Sequence, residues 1–290
     1  MTRLDNYPSK KARPVFILSS GRSGTAMLTK LLSACKEVEM HHEYLCTHIQ
    51  SIAVRYYMGL VGPQTVKSAI TRLHGTALLY ARKPIWGDSS NKLSWIADVL
   101  AETFPDAKFV FLTRDGRKVV SSYYHKLRDE CYDDYSVRSL IGHLDAPDVF
   151  PPPPPEKRFW WPAPLDEPDR MEAFRAYSQF DRIAFHWGEI NRVIMGHLYQ
   201  IDADRQFRVK LEDLTTDPSL MLELFRFIGV PERPQLFKLL ERPHNVKVPV
   251  DKSLTPGEEK RFFELNADVM KALGYFQNRA YTVDYGVPAE

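Results

Sequence analysis

Short apolar runs that end in turn residues and then give way to helical periods fill the first half of the chain. That alternation restricts the fold more than any other feature. Pro14-Val-Phe-Ile-Leu18 reads as a buried strand, and Ser23 to Ala34 as a helix with Met27, Leu28, Leu31 and Leu32 on one face. Val38 to His41 reads as a second strand, with helices over Leu45 to Leu60 and Gln64 to Tyr80. Ile85-Trp86-Gly87 is a short strand, and Asn91 reads as the cap of a helix carrying Leu93, Ile96, Val99 and Leu100. Lys108 to Thr113 is the clearest strand, followed by a helix over Gly116 to Leu127. Strands alternating with helices imply parallel βαβ units, hence an α/β fold with a central parallel sheet flanked by helices.

The second half continues with a helix over Arg170 to Leu198 and a last strand over Gln206 to Leu211. A helix over Pro218 to Ile228 ends at Gly229 and Pro231, and a closing helix runs from Thr255 to Leu273 with Gly274 beyond it. The pattern breaks at 145–168, which holds nine of the 21 prolines, five of them consecutive at Pro151 to Pro155. Such a run favours polyproline II and cannot be a core strand or helix. It is expected to be either a stiff excursion outside the core whose Phe159, Trp160 and Trp161 pack back, or a lid. The reading is therefore one domain over 14–280, a basic tail over 1–13 and a C-terminal tail over 281–290.

The charge balance, 39 basic against 37 acidic side chains for a net +2, gives no global signal for nucleic acid, and none is expected as a partner. Cys35, Cys46 and Cys131 form no C-x-x-C pair and are odd in number, which argues against a disulfide framework and for a reducing compartment, the cytoplasm. The run Val15 to Leu18 is too short for a secretory signal, and no stretch approaches the ~20 apolar residues of a membrane span.

The sharpest local feature is Ser19-Ser20-Gly21-Arg22-Ser23-Gly24-Thr25, between a buried strand and a helix. The glycines permit a tight turn that gathers N–H groups on one anion, and the helix N-terminus adds partial positive charge. Arg22 adds a full charge; Ser23 and Thr25 add hydroxyls. The G-x-x-x-x-G-K-[ST] pattern of a Walker loop is absent. A second anion site is expected where Arg114 ends its strand, with Ser122 and Lys126 sharing a face of the next helix. The alternative there is a surface pair between Arg114 and Asp115. Two such sites at neighbouring strand ends suggest a nucleotide phosphorylated at two places.

This pair of motifs resembles that of sulfotransferases using 3′-phosphoadenosine 5′-phosphosulfate (PAPS), and is similar to the carbohydrate and protein-tyrosine branch and its bacterial relatives. The likeness continues in Leu211-Glu-Asp-Leu-Thr-Thr-Asp-Pro218, Phe227-Ile-Gly-Val-Pro231 and Leu273-Gly-Tyr275, spanning roughly residues 14 to 275. It implies a single P-loop-NTPase-like domain and PAPS as donor. Gly21, Arg22, Ser23, Gly24, Thr25 and Ala26 would hold the 5′-phosphosulfate; Arg114 and Ser122, with Lys126, the 3′-phosphate. Lys247, and less directly Lys252, would come from a loop covering the nucleotide. The sequence departs from the family in two places. Asp88-Ser89-Ser90-Asn91 precedes a late Lys92 where relatives have an earlier lysine, and Leu211 stands where many have an aromatic.

Sulfuryl transfer also needs a base. Glu43 lies 21 residues after Arg22, the separation at which the resembling branch places its catalytic glutamate, and partial burial would raise its pKa toward use as a base. His41 and His42 are rivals. Arg22 is the second candidate catalytic residue, and no metal is expected, since no cluster has zinc or calcium spacing. The expected activity is transfer from PAPS to a hydroxyl, less readily an amine, of a small-molecule, carbohydrate or peptide acceptor. A P-loop kinase of a small metabolite and a non-catalytic nucleotide-binding module are the alternatives. Oligomeric state is not legible.

Overall fold

The protein, described here from a computed structural model, is defined over residues 12–127, 130–241 and 252–282. Five strands, β1 (Arg13–Leu18), β2 (Val38–His42), β3 (Ile85–Ser89), β4 (Lys108–Thr113) and β5 (Gln206–Lys210), form one sheet in the order β2-β3-β1-β4-β5. Every pairing is parallel. The central strands β1 and β4 read as apolar runs because both their faces are covered. Phe16 and Leu18 of β1 join Phe109 and Phe111 of β4 on one face, while Val15, Ile17, Val110 and Leu112 pack on the other.

The helices are α1 (Thr25–Ser33), α2 (Cys46–Tyr57), α3 (Pro63–Ile70), α4 (Thr76–Leu79), α5 (Ala97–Thr103), α6 (Gly116–Lys126), α7 (Asp134–Asp145), α8 (Pro168–Ala176), α9 (Gln179–Tyr199), α10 (Leu211–Leu214), α11 (Pro218–Ile228), α12 (Lys238–Glu241) and α13 (Pro256–Ala272). Residues of α1 and α11 cover one face of the sheet; α2, α3, α5 and α9 cover the other. A third apolar cluster gathers α6, α9 and α13 around Trp160, Trp161 and Tyr132.

The β1–β2 connection crosses β3 to one edge of the sheet, whereas β4 lies on the opposite side of β1. The chain leaving β1 and the chain leaving β4 therefore part company at the same end of adjacent strands. Open α/β sheets bind ligands in the crevice at such a switch point.

Several elements depart from expectation. The segment 64–80 is helical as expected, but a π turn over Thr71–Gly75 interrupts the α-helical hydrogen bonding between α3 and α4. The expected helix from Arg170 to Leu198 is two, because Ser178 starts a new one with a capping box to Asp181. Asn91 does not cap a helix; Leu93–Ile96 is a 3₁₀ turn leading into α5, and the cap position, Lys92, offers no side-chain hydrogen bond. In the proline excursion the expected packing back is found, with Phe159 against the cluster and both tryptophans inside it. Trp160 and Trp161 are each only 6% exposed, and Trp161 stacks on Tyr132 with centroids 4.5 Å apart. Their apolar area repays ordering a segment whose prolines cannot join a sheet or helix.

Candidate active site

The loop from Ser19 to Gly24 joins β1 to α1 through three left-handed positions. Gly21 has φ 76°, Arg22 φ 52° and Gly24 φ 89°. A Cβ at Gly21 would overlap the Tyr123 hydroxyl, and one at Gly24 would come within 2.6 Å of Leu211 Cδ1, so both positions need glycine for space as well as conformation. Arg22 has no such licence. A non-glycine residue held in the left-handed region costs on the order of 1–3 kcal/mol and persists only where its surroundings dictate it.

Those surroundings are visible. Ser94 Oγ accepts from Ser19 N and donates to Ser19 O, both at 3.0 Å. Tyr123 OH donates to Ser20 O at 3.0 Å. The Ser23 hydroxyl, expected to face an anion, is fully buried and donates to Gly21 O at 3.0 Å, so it shapes the turn. Gly24 caps α1 without a side-chain bond, which leaves the first amides of the helix, from Thr25 through Met27, without intrahelical partners. They open onto a cavity of about 500 Å³.

Arg22 joins the two motifs that the sequence separates by a hundred residues. Its Nε donates to Ser122 Oγ at 3.1 Å, and its carbonyl accepts from Arg114 Nη1 at 2.9 Å. The expected pair of anion sites is thus one continuous cavity, lined by both Arg22 and Arg114. The surface pair between Arg114 and Asp115 does not form. Asp115 is buried and binds Arg117 through both carboxylate oxygens, at 3.1 and 2.8 Å. Arg117 in turn reaches Glu259 and the Asn278 carbonyl, so this pair locks α6 to the C-terminal segment.

The remaining motifs brace this corner. Glu212 accepts from the Asp115 amide at 3.2 Å and from Tyr275 OH at 3.0 Å, and the same Tyr275 oxygen lies 3.2 Å from Thr113 Oγ1. Leu211-Glu-Asp-Leu and Leu273-Gly-Tyr275 therefore meet at the end of β4, behind Arg114. Leu211, where an aromatic was the pattern, packs against Gly24.

Glu43 leaves β2 with φ 55°, the second strained non-glycine residue on the cavity wall. Its amide donates to Ser89 O at 3.0 Å. The next residue is fixed too: Tyr44 N donates to Asp88 Oδ1 at 3.0 Å, and Asp88 Oδ2 lies 3.1 Å from His74 Nε2 in a fully buried pair. The carboxylate meets Lys157 Nζ, from the proline excursion. Burial pushes the Glu43 carboxyl up, but the buried Lys92, Lys157 and His42 together outweigh it and hold the carboxyl below its ordinary value. The expected upward shift is therefore reversed, because two lysines share its surroundings.

The rivals separate. His42 lines the cavity, with Nδ1 3.0 Å from Ser89 O. His41 is not among the lining residues; it turns to Glu39 at 3.4 Å and packs on Trp86. His186, beneath the site among Trp95, Tyr123, Tyr132 and Trp161, is driven by burial and by Lys92 down to about 3, so it stays neutral.

Lys126 is exposed in the last turn of α6 and does not line the cavity. Lys247 lies outside the described residues, and Lys252, beside α6, has its carbonyl bonded by Ser121 Oγ at 2.5 Å. Residues not anticipated as lining include Lys92, Asn91, Tyr123, Lys157, Arg158 and Trp161. Lys92 carried a signal, a lysine after the third strand, although displaced along the chain. Lys157 and Trp161 carried none beyond lying in the excursion. Among the described residues, no group of three or more His, Cys, Asp or Glu is placed to hold a metal ion, and no helix is long and apolar enough to cross a membrane.

The family model "Sulfotransferase domain" matches residues 12–244. No curated protein matches the chain in sequence. Among solved structures, a sulfotransferase from Alicyclobacillus acidocaldarius superposes with TM-score 0.52 at 17% identity, covering 93% of this chain and 97% of that one. Sulfotransferase STF9 from Mycobacterium avium gives TM-score 0.52 at 10% identity, with 91% and 77% covered. The sulfotransferase domain of the Synechococcus PCC 7002 olefin synthase gives 0.50 at 16%, with 95% and 98% covered. These likenesses establish a shared P-loop-NTPase-like fold. With a family model matched over most of its length, the chain belongs to the sulfotransferase family, enzymes that take a sulfuryl group from PAPS.

Proposed function

We propose that this sulfotransferase binds the donor across the β1–β4 crevice and uses Glu43 as the base toward a hydroxyl, less readily an amine, of its acceptor. The observation that carries the reading is the junction at Arg22, whose side chain meets Ser122 while its carbonyl is held by Arg114. The cavity suits the donor in kind: a glycine cradle that a Cβ would fill, partnerless helix amides and two arginines for an anionic group. When bound, PAPS supplies an SO₃ unit on a good leaving phosphate.

The chain's own residues do the rest. Gly21, Arg22, Ser23, Gly24, Thr25 and Ala26 form the 5′ cradle, with Ser23 shaping the loop rather than touching the anion. Arg114 and Ser122 take the 3′-phosphate; Lys126 and Lys247 remain secondary candidates for the same nucleotide. Arg22 and Lys92 stabilise charge that develops at the phosphate and sulfuryl oxygens, by analogy with phosphoryl transfer, where positioning and electrostatics dominate. Glu43 receives the acceptor proton, and its strained turn, fixed by Ser89 and Asp88, keeps it at the cavity wall. We assign the charge stabilisation to these side chains and amides without a metal, the domain to 14–280, and the setting to a reducing cytoplasm that suits three unpaired cysteines. Nucleic acid is not proposed as a partner.

The kinase alternative is not favoured, because the loop has no Gly-Lys-Ser/Thr and Arg22 stands in its place. A non-catalytic module would have no use for a strained carboxylate among cations. Mass-resolved sulfate transfer from PAPS into an extract of the source organism tests the activity and names the acceptor. Labelled product absent with wild-type protein, alongside protection by ATP with magnesium rather than adenosine 3′,5′-bisphosphate, would return the kinase reading.

A further inference from the structure

The proline excursion brings two cations, Lys157 and Arg158, to the donor cavity, and Lys157 arrives by a fixed route. Gln50 of α2, only 2% exposed, donates through one Nε2 to two carbonyls of the excursion, Lys157 at 2.9 Å and Trp160 at 2.6 Å. Trp160 Nε1 closes back on Pro154 O at 2.9 Å, and Trp161 Nε1 on Arg158 O at 2.7 Å. Arg158 is held from outside by Asp133, at 3.2 and 3.1 Å. A turn closed back on itself by two adjacent buried tryptophans and held by a buried amide cannot wander as a surface loop does. Its one side chain aimed at the base is Lys157, whose ammonium contacts Glu43.

We infer that Lys157 is a positioning residue for the base: anchored by Gln50, it keeps the Glu43 side chain ionised and turned into the cavity, so the excursion belongs to the catalytic apparatus. This rests on the assignment of Glu43 as base. The groups facing Glu43 are Lys157 from the excursion, Lys92 from the turn after β3, His42 from β2 and Tyr123 from α6, with Cys46 of α2 beside Lys157. Lys92 is fully enclosed, and burial pushes its ammonium down while Glu43 pushes it back up. Lys157 is the partly exposed member of the pair, at 41%, and so its charge is the less costly one to keep. In the reaction Glu43 gains the acceptor proton as the new S–O bond forms and the bond to the leaving phosphate breaks, the phosphate keeping the electron pair. Lys157 loses no proton; it keeps the carboxylate ready to accept one.

The test is a ¹³C NMR titration of the Glu43 carboxyl in the full-length enzyme, for wild type, Lys157→Met and Lys157→Arg, with adenosine 3′,5′-bisphosphate affinity measured alongside. The expected result is a midpoint moved to higher pH in Lys157→Met and left near wild type in Lys157→Arg, with nucleotide affinity weakened only where the cavity loses its cation, since without Lys157 burial is opposed by Lys92 and His42 alone. An unchanged midpoint in Lys157→Met overturns the proposal. So does a shift as large in Lys157→Arg, which would assign the effect to packing and not charge. Full turnover in Glu43→Gln would instead remove the base assignment beneath it, whatever the titration shows.

Discussion

The loop after β1 and the turn at 156–161 line the same cavity but are built in opposite ways. The loop is local: six consecutive residues between a strand and its helix carry the glycines and the charge, and the helix start carries the amides. Its supports, Ser94, Tyr123 and Leu211, only hold a shape the sequence already requires. The turn is assembled from afar. Lys157 meets a carboxylate 114 positions earlier in the chain, and Gln50 holds the peptide from 107 positions away. The donor side thus follows from backbone conformation, and the second side from packing of two tryptophans. A single motif can encode the first. The second exists only once the core has formed.

The packed side should be the more costly to break. Trp161→Ala removes a buried ring stacked on Tyr132 and should destabilise the fold by about 3–5 kcal/mol in chemical denaturation. A loss below 1 kcal/mol would mean that the turn is not part of the core. Next comes Glu43→Gln, expected to lower sulfate transfer roughly a hundredfold or more with nucleotide binding intact. Its pH dependence has a definite sign. The Glu43 carboxyl is held below its ordinary value, so transfer should persist as pH falls through the usual glutamate range and fail only below it. Arg22→Ala should lower turnover at saturating donor as well as affinity, because the lost charge acts on the transition state; unchanged turnover would confine Arg22 to binding. The smallest effect is expected from Pro151→Ala and Pro152→Ala, both exposed, whose stability should stay within about 0.5 kcal/mol of wild type.

The parallel sheet was legible because its central strands are buried on both faces and so stand out as apolar runs such as Phe109 to Leu112. The donor loop was legible because glycine spacing and a following helix are local facts. Asn91 misled: its type suits a helix cap, yet its amide Nδ2 donates to the Tyr123 hydroxyl at 3.4 Å, a contact no periodicity foretells. The direction of the Glu43 shift was misjudged for a related reason. Burial acts on any enclosed carboxyl, but the sign depends on Lys92 and Lys157, which tertiary packing brings to it. Ser23 illustrates the same limit within the loop itself, since a hydroxyl in an anion motif can serve the turn instead of the ligand.

One cavity at the β1–β4 switch point should hold a nucleotide by two phosphates, the second on Arg114. Calorimetric titration of wild type and Arg114→Ala with adenosine 3′,5′-bisphosphate and with adenosine 5′-phosphate decides this. Loss of a charge-assisted contact to the 3′-phosphate should weaken the bisphosphate by about 1.5–3 kcal/mol and leave the monophosphate nearly unchanged. Equal weakening of both nucleotides would contradict the assignment and reduce Arg114 to a brace for the Arg22 carbonyl.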